Sequence, residues 1–335
     1  MNSHAALPHI SLPQVPGLVF RPLAPADIQP WFELVRRIAK RDGAPWHEQL
    51  SDLREVLESE VNPAAVHTVV GADSQGTPRA YGYISKNPAS GVGYAFGGVD
   101  PQWRRRGTGS AILAWQRAVL AFRSVSDGEP ATVFRSYVQE VTPGHAQLLQ
   151  RSGFTPVRTF TELARPLLDL PEPVALQGVD IVPFSPELGE GVRLAHNDAF
   201  ADHWGSEPRS AKKWATLMAH EDFRPEWSSV AIDQASGEVA GYQISMFDAT
   251  VLAASGFKEG YTELLGVRRA WRGRGIAPAL LVDAMGRYVA AGMDRACLDV
   301  DTENPSGAVG LYVRLGYQAI PGRQSVAWDL QLWRG

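Results

Sequence analysis

The chain carries one pattern twice. Val99, Trp103, Arg104, Gly107 and Gly109 recur as Val267, Trp271, Arg272, Gly275 and Ala277, each 168 residues later. Downstream, Leu148, Gly153 and Phe154 recur as Leu311, Gly316 and Tyr317 at an offset of 163. Similarity at a nearly fixed offset is the mark of duplication, and the small drift is what unequal loops leave behind. A duplicated chain must use a fold that both halves can adopt, and 335 residues is the length of two ordinary domains. Residues 165–178 between the copies hold prolines 166, 171 and 173 and read as a linker. The expected division is a flexible N-terminal arm over 1–17, one domain over 18–165, a linker over 166–178 and a second domain over 179–335.

Each copy follows the same order. A short strand (18–21; 179–182) leads into two helical segments (28–38 and 51–60; 186–200 and 210–220). A hairpin follows (66–71 with 80–85; 229–233 with 238–247), and then a strand that ends at the repeated valine. After the valine comes a glycine- and arginine-rich turn, WRRRGTG or WRGRGIA, and a helix whose apolar residues in the second copy are Leu280, Leu281, Ala284, Met285 and Tyr288. Pro278 falls in the first turn of that helix, where a missing N–H costs little, and Gly292 suits its C-terminal end. A strand (296–300), a helix (307–315) and a last strand (324–332) complete the copy. A turn of this kind presents unpaired amides together with the positive end of a helix dipole, which suits a phosphate.

Composition narrows the possibilities. The net charge of −4 gives no general reason to expect nucleic acid. Cys297, the single cysteine, excludes an internal disulfide and a cysteine-based zinc site, so a reducing cytoplasm fits; it is expected to pack inside. No apolar run reaches the roughly 18 residues of a membrane span.

The Arg-x-x-Gly-x-Ala of Arg272, Gly275 and Ala277, the valine five residues earlier, and the downstream ENPSGAVGLYVRLGY together resemble the GNAT N-acetyltransferase superfamily. The first copy has the matching Arg104, Gly107 and Gly109. The resemblance implies two tandem α/β (α+β) domains. Each would have a mixed, mostly antiparallel twisted sheet with helices on both faces, its fourth and fifth strands splaying to admit the pantetheine arm of acetyl-CoA. It further implies that Leu265, Gly266 and Val267 line the splay, and that Arg272, Gly273, Arg274, Gly275, Ile276 and Ala277 form the pyrophosphate turn. Val99, Arg104, Gly107 and Gly109 are the first copy's counterparts. No metal is implied.

Acyl transfer to an amine needs an unprotonated nucleophile and a proton for the leaving thiolate. By resemblance Tyr312 is the acid, and Asn304 touches the pantetheine or orders its loop. Strand alternation puts Tyr261, Glu263, Leu265 and Val267 on one cleft-lining face unless a bulge intervenes, which makes Glu263 the candidate base. Family members often carry that carboxylate six residues before the valine, at Tyr261 here, and an ordered water or His203 are the rivals. His203 and Trp204 lie in the loop expected to wall the acceptor site.

The copies are not equivalent. Leu149 stands where Tyr312 does, Val141 where Asn304 does and Ala95 where Glu263 does. The expectation is therefore a degenerate first domain and a catalytic second one. That domain acetylates the primary amine of a small molecule without nucleic-acid or membrane partners, as monomer or homodimer. A non-catalytic acyl-CoA sensor and a protein lysine acetyltransferase are the alternatives.

Overall fold

The computed structural model describes residues 10–44, 46–127, 131–173, 175–304 and 307–332. Two compact units emerge: residues 1–159 with 325–335, and residues 160–324. The first holds β1 (Val19–Arg21), α1 (Ile28–Asp42), α2 (Leu50–Glu58), α3 (Ala64–His67), β2 (Thr68–Ala72), β3 (Pro78–Lys86), β4 (Val92–Val99), α4 (Thr108–Ser126), β5 (Val133–Gln139) and α5 (Pro143–Arg151). After β6 (Thr155–Pro166), the second holds β7 (Val179–Pro183), α6 (Gly189–Ala199), α7 (Ala211–Met218), β8 (Ser229–Asp233), β9 (Val239–Met246), α8 (Ala249–Ser255), β10 (Glu259–Val267), α9 (Ile276–Ala290), β11 (Arg295–Asp301) and α10 (Ala308–Arg314). The last strand is β12 (Gln318–Gln331).

The expected division is corrected in its final strands. The Ser325–Gln331 part of β12 pairs antiparallel with β5 in the first unit, although its sequence follows the second copy. The Phe160–Pro166 part of β6 pairs antiparallel with β11 in the second unit. Each unit's sheet is thus completed by a strand from the other copy. The expected arm is also corrected. Residues 1–9 lie outside the described residues, but Val15 is buried, and Ile10 and Leu12 pack against the core cluster that holds Ile112 and Trp115 of α4. Helix α2 begins a residue earlier than expected: Asp52 accepts from the Gln49 amide at 2.7 Å, so Gln49 is the capping residue.

Within each unit helices cover both sheet faces, the three-layer form of an α/β domain. In the first unit, Ile112, Val119 and Leu120 of α4 pack with Phe134 and Leu149 on one face, and Trp31, Leu34 and Leu53 pack on Val70, Tyr81 and Tyr83 on the other. In the second, Leu281, Met285 and Tyr288 of α9 with Tyr312 of α10 cover one face, and Val192 of α6 and Trp214 of α7 cover the other. Most neighbouring strands run antiparallel; β4 with β5 and β10 with β11 are parallel.

Candidate functional site

Those two parallel ladders are short, and where they stop the sheet forks. In the first unit the last pair is Tyr94 with Arg135, and in the second it is Thr262 with Leu298. Beyond Thr262, β10 keeps β9 on one side and, among the described residues, has no strand on the other. The edge along Glu263–Val267 therefore carries main-chain groups that an extended ligand can pair.

At the end of this edge the chain turns into α9. Gly273 (φ 76°) and Gly275 (φ 80°) adopt the left-handed conformation, and a Cβ on Gly273 would meet no atom within 4 Å. Backbone conformation, not crowding, is what favours glycine here. The amides of Gly273, Arg274, Gly275, Ile276 and Ala277 make no backbone hydrogen bond among the described residues, so they form an anion cradle at the helix N-terminus. Arg272 holds this turn from behind, donating to Val267 O at 3.2 Å and Ala199 O at 2.8 Å. Arg104 does the same in the first unit through Val99 O at 3.1 Å, with both terminal nitrogens on Asp42 at 2.6 and 2.8 Å. Both arginines thus brace the turn and leave its amides open. Gly266 has a packing reason of its own, since a Cβ there would meet the Tyr242 ring at 2.5 Å. Gly109 does too, with Leu148 at 3.0 Å.

The alternation expected along β10 is broken at Glu263. Thr262 pairs with Ser245 and Leu264 with Ile244, which leaves Glu263 as the extra residue of a bulge. Leu264 then joins the α6 side, packing with Val192, Trp214 and Tyr242, while Leu265 and Val267 turn to Ile276 and Leu280 of α9. Tyr261, Glu263, Leu265 and Val267 therefore do not share one face. Glu263 itself is exposed at the fork, close enough for its charge to be felt by Tyr261 and Asp299.

Tyr312 reaches the fork from α10. It is 8% exposed, and burial, helped by the Asp299 carboxylate, pushes its hydroxyl up to about 12. Its ring meets Tyr317 edge-on at 5.9 Å. The proposed wall residues come together: Asn304 Nδ2 and His203 Nε2 are hydrogen-bonded at 3.2 Å, and the Trp204 ring lies 6.2 Å from that of Phe160. Pro305 and Ser306 of the same loop lie outside the described residues. His196 is a core group; its Nδ1 meets the Tyr242 hydroxyl at 2.6 Å, and burial lowers it to about 4. Cys297 is fully buried, and burial pushes its thiol far up.

Sequence reasoning missed Asp299 and Glu162, which stand opposite one another on β11 and β6. Burial lifts Asp299 to about 6, with the Glu263 and Asp301 charges adding to it. Its side chain reaches solvent, but the recess around it displaces enough water to disfavour the charge. Burial lifts Glu162 to about 7 against the pull of Arg323. Arg323 donates to Glu162 and, at 3.3 Å, to Glu259, which Arg295 also meets at 3.1 Å. Glu162, Glu259 and Cys297 offer donor atoms within 4.8 Å of one another, yet the arginines already meet both carboxylates, so the cluster is an ion-pair network. The alternating acids Asp299 and Asp301 at the end of an apolar run, Ala296–Leu298, were the available signal.

The acetyltransferase (GNAT) family matches residues 191–317. The chain is 30% identical over 301 residues to the mycothiol acetyltransferase of Salinispora tropica, covering 87% of this chain and 89% of that one. It is 33% identical over 222 residues to the mycothiol acetyltransferase of Streptomyces avermitilis, covering 65% and 66%. A GCN5-related N-acetyltransferase from Sphaerobacter thermophilus has a similar structure, with a TM-score of 0.72 at 25% identity over 97% of this chain and 98% of that one. A tandem GNAT protein from the clavulanic acid biosynthesis pathway shares the fold with a TM-score of 0.64 at 16% identity, covering 95% and 99%. Fold, forked sheets and relatives agree: this chain belongs to the GNAT acetyltransferases, as a tandem member of that acyl-CoA-using family.

Proposed function

We propose that residues 160–324 transfer the acetyl group of acetyl-CoA directly to the primary amine of a small molecule. The observation that carries this reading is the fork: the second unit puts a carboxylate, Glu263, and a phenol, Tyr312, at an open strand edge beside an amide cradle. The relatives' name, mycothiol acetyltransferase, supports a small-molecule acceptor.

The cradle amides of Gly273–Ala277 bind the pyrophosphate, and the free edge of β10 pairs with the pantetheine amides and donates to the thioester oxygen. Glu263 takes a proton from the acceptor's ammonium, and the freed lone pair forms the N–C bond. As the C–S bond breaks, Tyr312 donates its proton to the sulfur and recovers one from the new amide nitrogen. The raised Tyr312 value shapes this role. Against a thiol near about 8.5, a phenol at about 12 stays protonated at neutral pH and is a poor free acid. It serves as a hydrogen-bond donor to the developing thiolate and as a relay that ends each turnover unchanged. A substrate of this kind fits the cytoplasm, and no helix among the described residues is long and apolar enough to cross a membrane.

The test is thiol release from acetyl-CoA across a panel of amino sugars, amino-acid amides, polyamines and a lysine peptide. Release with a small amine, lost in Tyr312→Phe while acetyl-CoA still binds, is expected. Binding without release for every amine would replace this reading with that of an acyl-CoA sensor.

A further inference from the structure

We infer that Asp299 receives the acceptor's ammonium, holding it at the mouth of the fork between Glu263 and Tyr312, and thereby selects amines with no free carboxylate beside them. This rests on the reading above and adds a residue and a substrate class to it.

Register locates the group. Thr262 with Leu298 is the last parallel pair, so Glu263 and Asp299 are the first residues past the point of divergence. Asp299 is exposed between two buried neighbours, Leu298 at 2% and Val300 at 6%. Alternation turns it to the face of β11 opposite the one that Leu298, Val300 and Tyr312 pack on, so it borders the opening from the other side of the sheet.

The duplicated unit supplies a control. The last parallel pair there is Tyr94 with Arg135, so the equivalent first residues are Ala95 and Ser136. Ser136 precedes Asp299 by 163 residues, the offset that relates Leu148 to Leu311. Ser136 Oγ donates to Ala95 O at 3.1 Å, so this fork satisfies itself across its own mouth. The second unit has put two carboxylates where the first has a closed, neutral contact.

Charge then identifies the ligand. Around Asp299 stand Glu162 directly opposite on β6, Glu263 and Tyr261 on β10, Asp301 on its own strand and Tyr312 on α10. Like charges directly opposite on neighbouring strands oppose folding. Arg323 answers Glu162, and Arg295 answers Glu259, but no described cation makes an ion pair with Asp299. A protonated primary amine is the missing counter-charge. Asp299 accepts one of its N–H bonds, Glu263 takes a second proton, and nitrogen is left facing the thioester. A free amino acid would press its own carboxylate against this pair, whereas an amino sugar or an amino-acid amide would not.

The experiment compares wild type, Asp299→Asn and Asp299→Glu with glucosamine and alaninamide as acceptors and alanine as the carboxylate control. Asp299→Asn is expected to raise KM for the amine about 10- to 100-fold, leaving kcat and acetyl-CoA affinity within roughly threefold, with partial recovery in Asp299→Glu. It is also expected to melt at or above the wild-type temperature at pH 8, because an unanswered charge has gone; a structural ion-pair partner would melt lower. Unchanged amine KM, a lower melting temperature, or a preference for alanine overturns the inference while the transferase reading stands. If wild type binds acetyl-CoA but releases no thiol with either acceptor or any amine of the wider panel, the transferase reading falls and this inference with it.

Discussion

In the first unit the fork closes on itself through Ser136 and Ala95; in the second, the first residues past the last parallel pair are two carboxylates, Glu263 and Asp299. Leu149 is completely buried in the first unit at the position that Tyr312 occupies in the second. Even the shared turn differs, for Arg105 holds a φ of 60° where the second copy has Gly273. A side chain in the left-handed region is strained, and the first unit keeps that strain without the groups that would use the cradle. Ligand-facing residues have thus diverged while the bracing ones, Arg104 and Arg272, have not. A duplicated fold can keep its architecture through main-chain pairing and turn geometry, and lose or gain chemistry at a few side chains.

The largest expected effect tests whether one unit alone carries the chemistry. Gly275→Val forces a β-branched residue to a φ of 80° and displaces the amides, and should lower kcat/KM about 100-fold. Gly107→Val imposes the same strain at 81° in the first unit and should leave turnover within about twofold. Thermal melts of both variants separate misfolding from lost binding, and an equal collapse of turnover would break the comparison.

Tyr312→Phe comes next, with a fall in kcat of about 100-fold and acetyl-CoA affinity unchanged by calorimetry. A variant that keeps wild-type kcat would remove the donor from the mechanism.

Smaller again is the exchange of the two mouths. Installing Ala95→Glu with Ser136→Asp should destabilise the protein by about 1–3 kcal/mol, since a satisfied contact becomes an unanswered like-charge pair. The reverse exchange, Glu263→Ala with Asp299→Ser, should abolish turnover, and its Asp299→Ser half alone should raise the denaturation midpoint. A loss of stability in the reverse exchange would mean that the carboxylates serve the fold.

The smallest effect is in the pH dependence of stability. Asp299 moves from its ordinary 3.8 to about 6, so between those values the folded state holds a proton that the unfolded state has lost. Stability attributable to this group therefore falls as pH rises through that window, and the loss persists above it. Glu162, raised from 4.5 to about 7, acts in the same direction. Urea midpoints measured from pH 4 to 8 should show a shallower decline in Asp299→Asn, with the Glu162 part remaining. Parallel curves would show that Asp299 titrates normally.

Much of this was legible in the chain. The repeated Val-x4-Arg-x-x-Gly pattern located both turns, and the glycines there are needed for local reasons that a sequence can express, a left-handed φ at the start of a helix. Tyr312 and Asn304 were reachable through resemblance, and the loss of tyrosine at Leu149 could be counted off by offset. The reason that made Glu263 a candidate was incomplete. Alternation assumed an unbroken ladder, and the bulge that moves Leu265 and Val267 to the α9 side depends on β9 being one residue shorter across the same span. Asp299 stayed hidden because its meaning lies in register: only the end of the parallel pairing with β10, and Glu162 opposite on β6, make it conspicuous.

By itself, then, the sequence determined what is local or repeated: the duplication, the helices and strands of each copy, the glycine turn at the start of α4 and α9, and the asymmetry at Tyr312. Tertiary structure decided which strand completes which sheet, where the parallel ladders end, and which carboxylates meet at the opening. Strand pairing joins residues far apart in the chain, such as Val326 with Val138 or Asp299 with Glu162, and no periodicity along one segment encodes its distant partner.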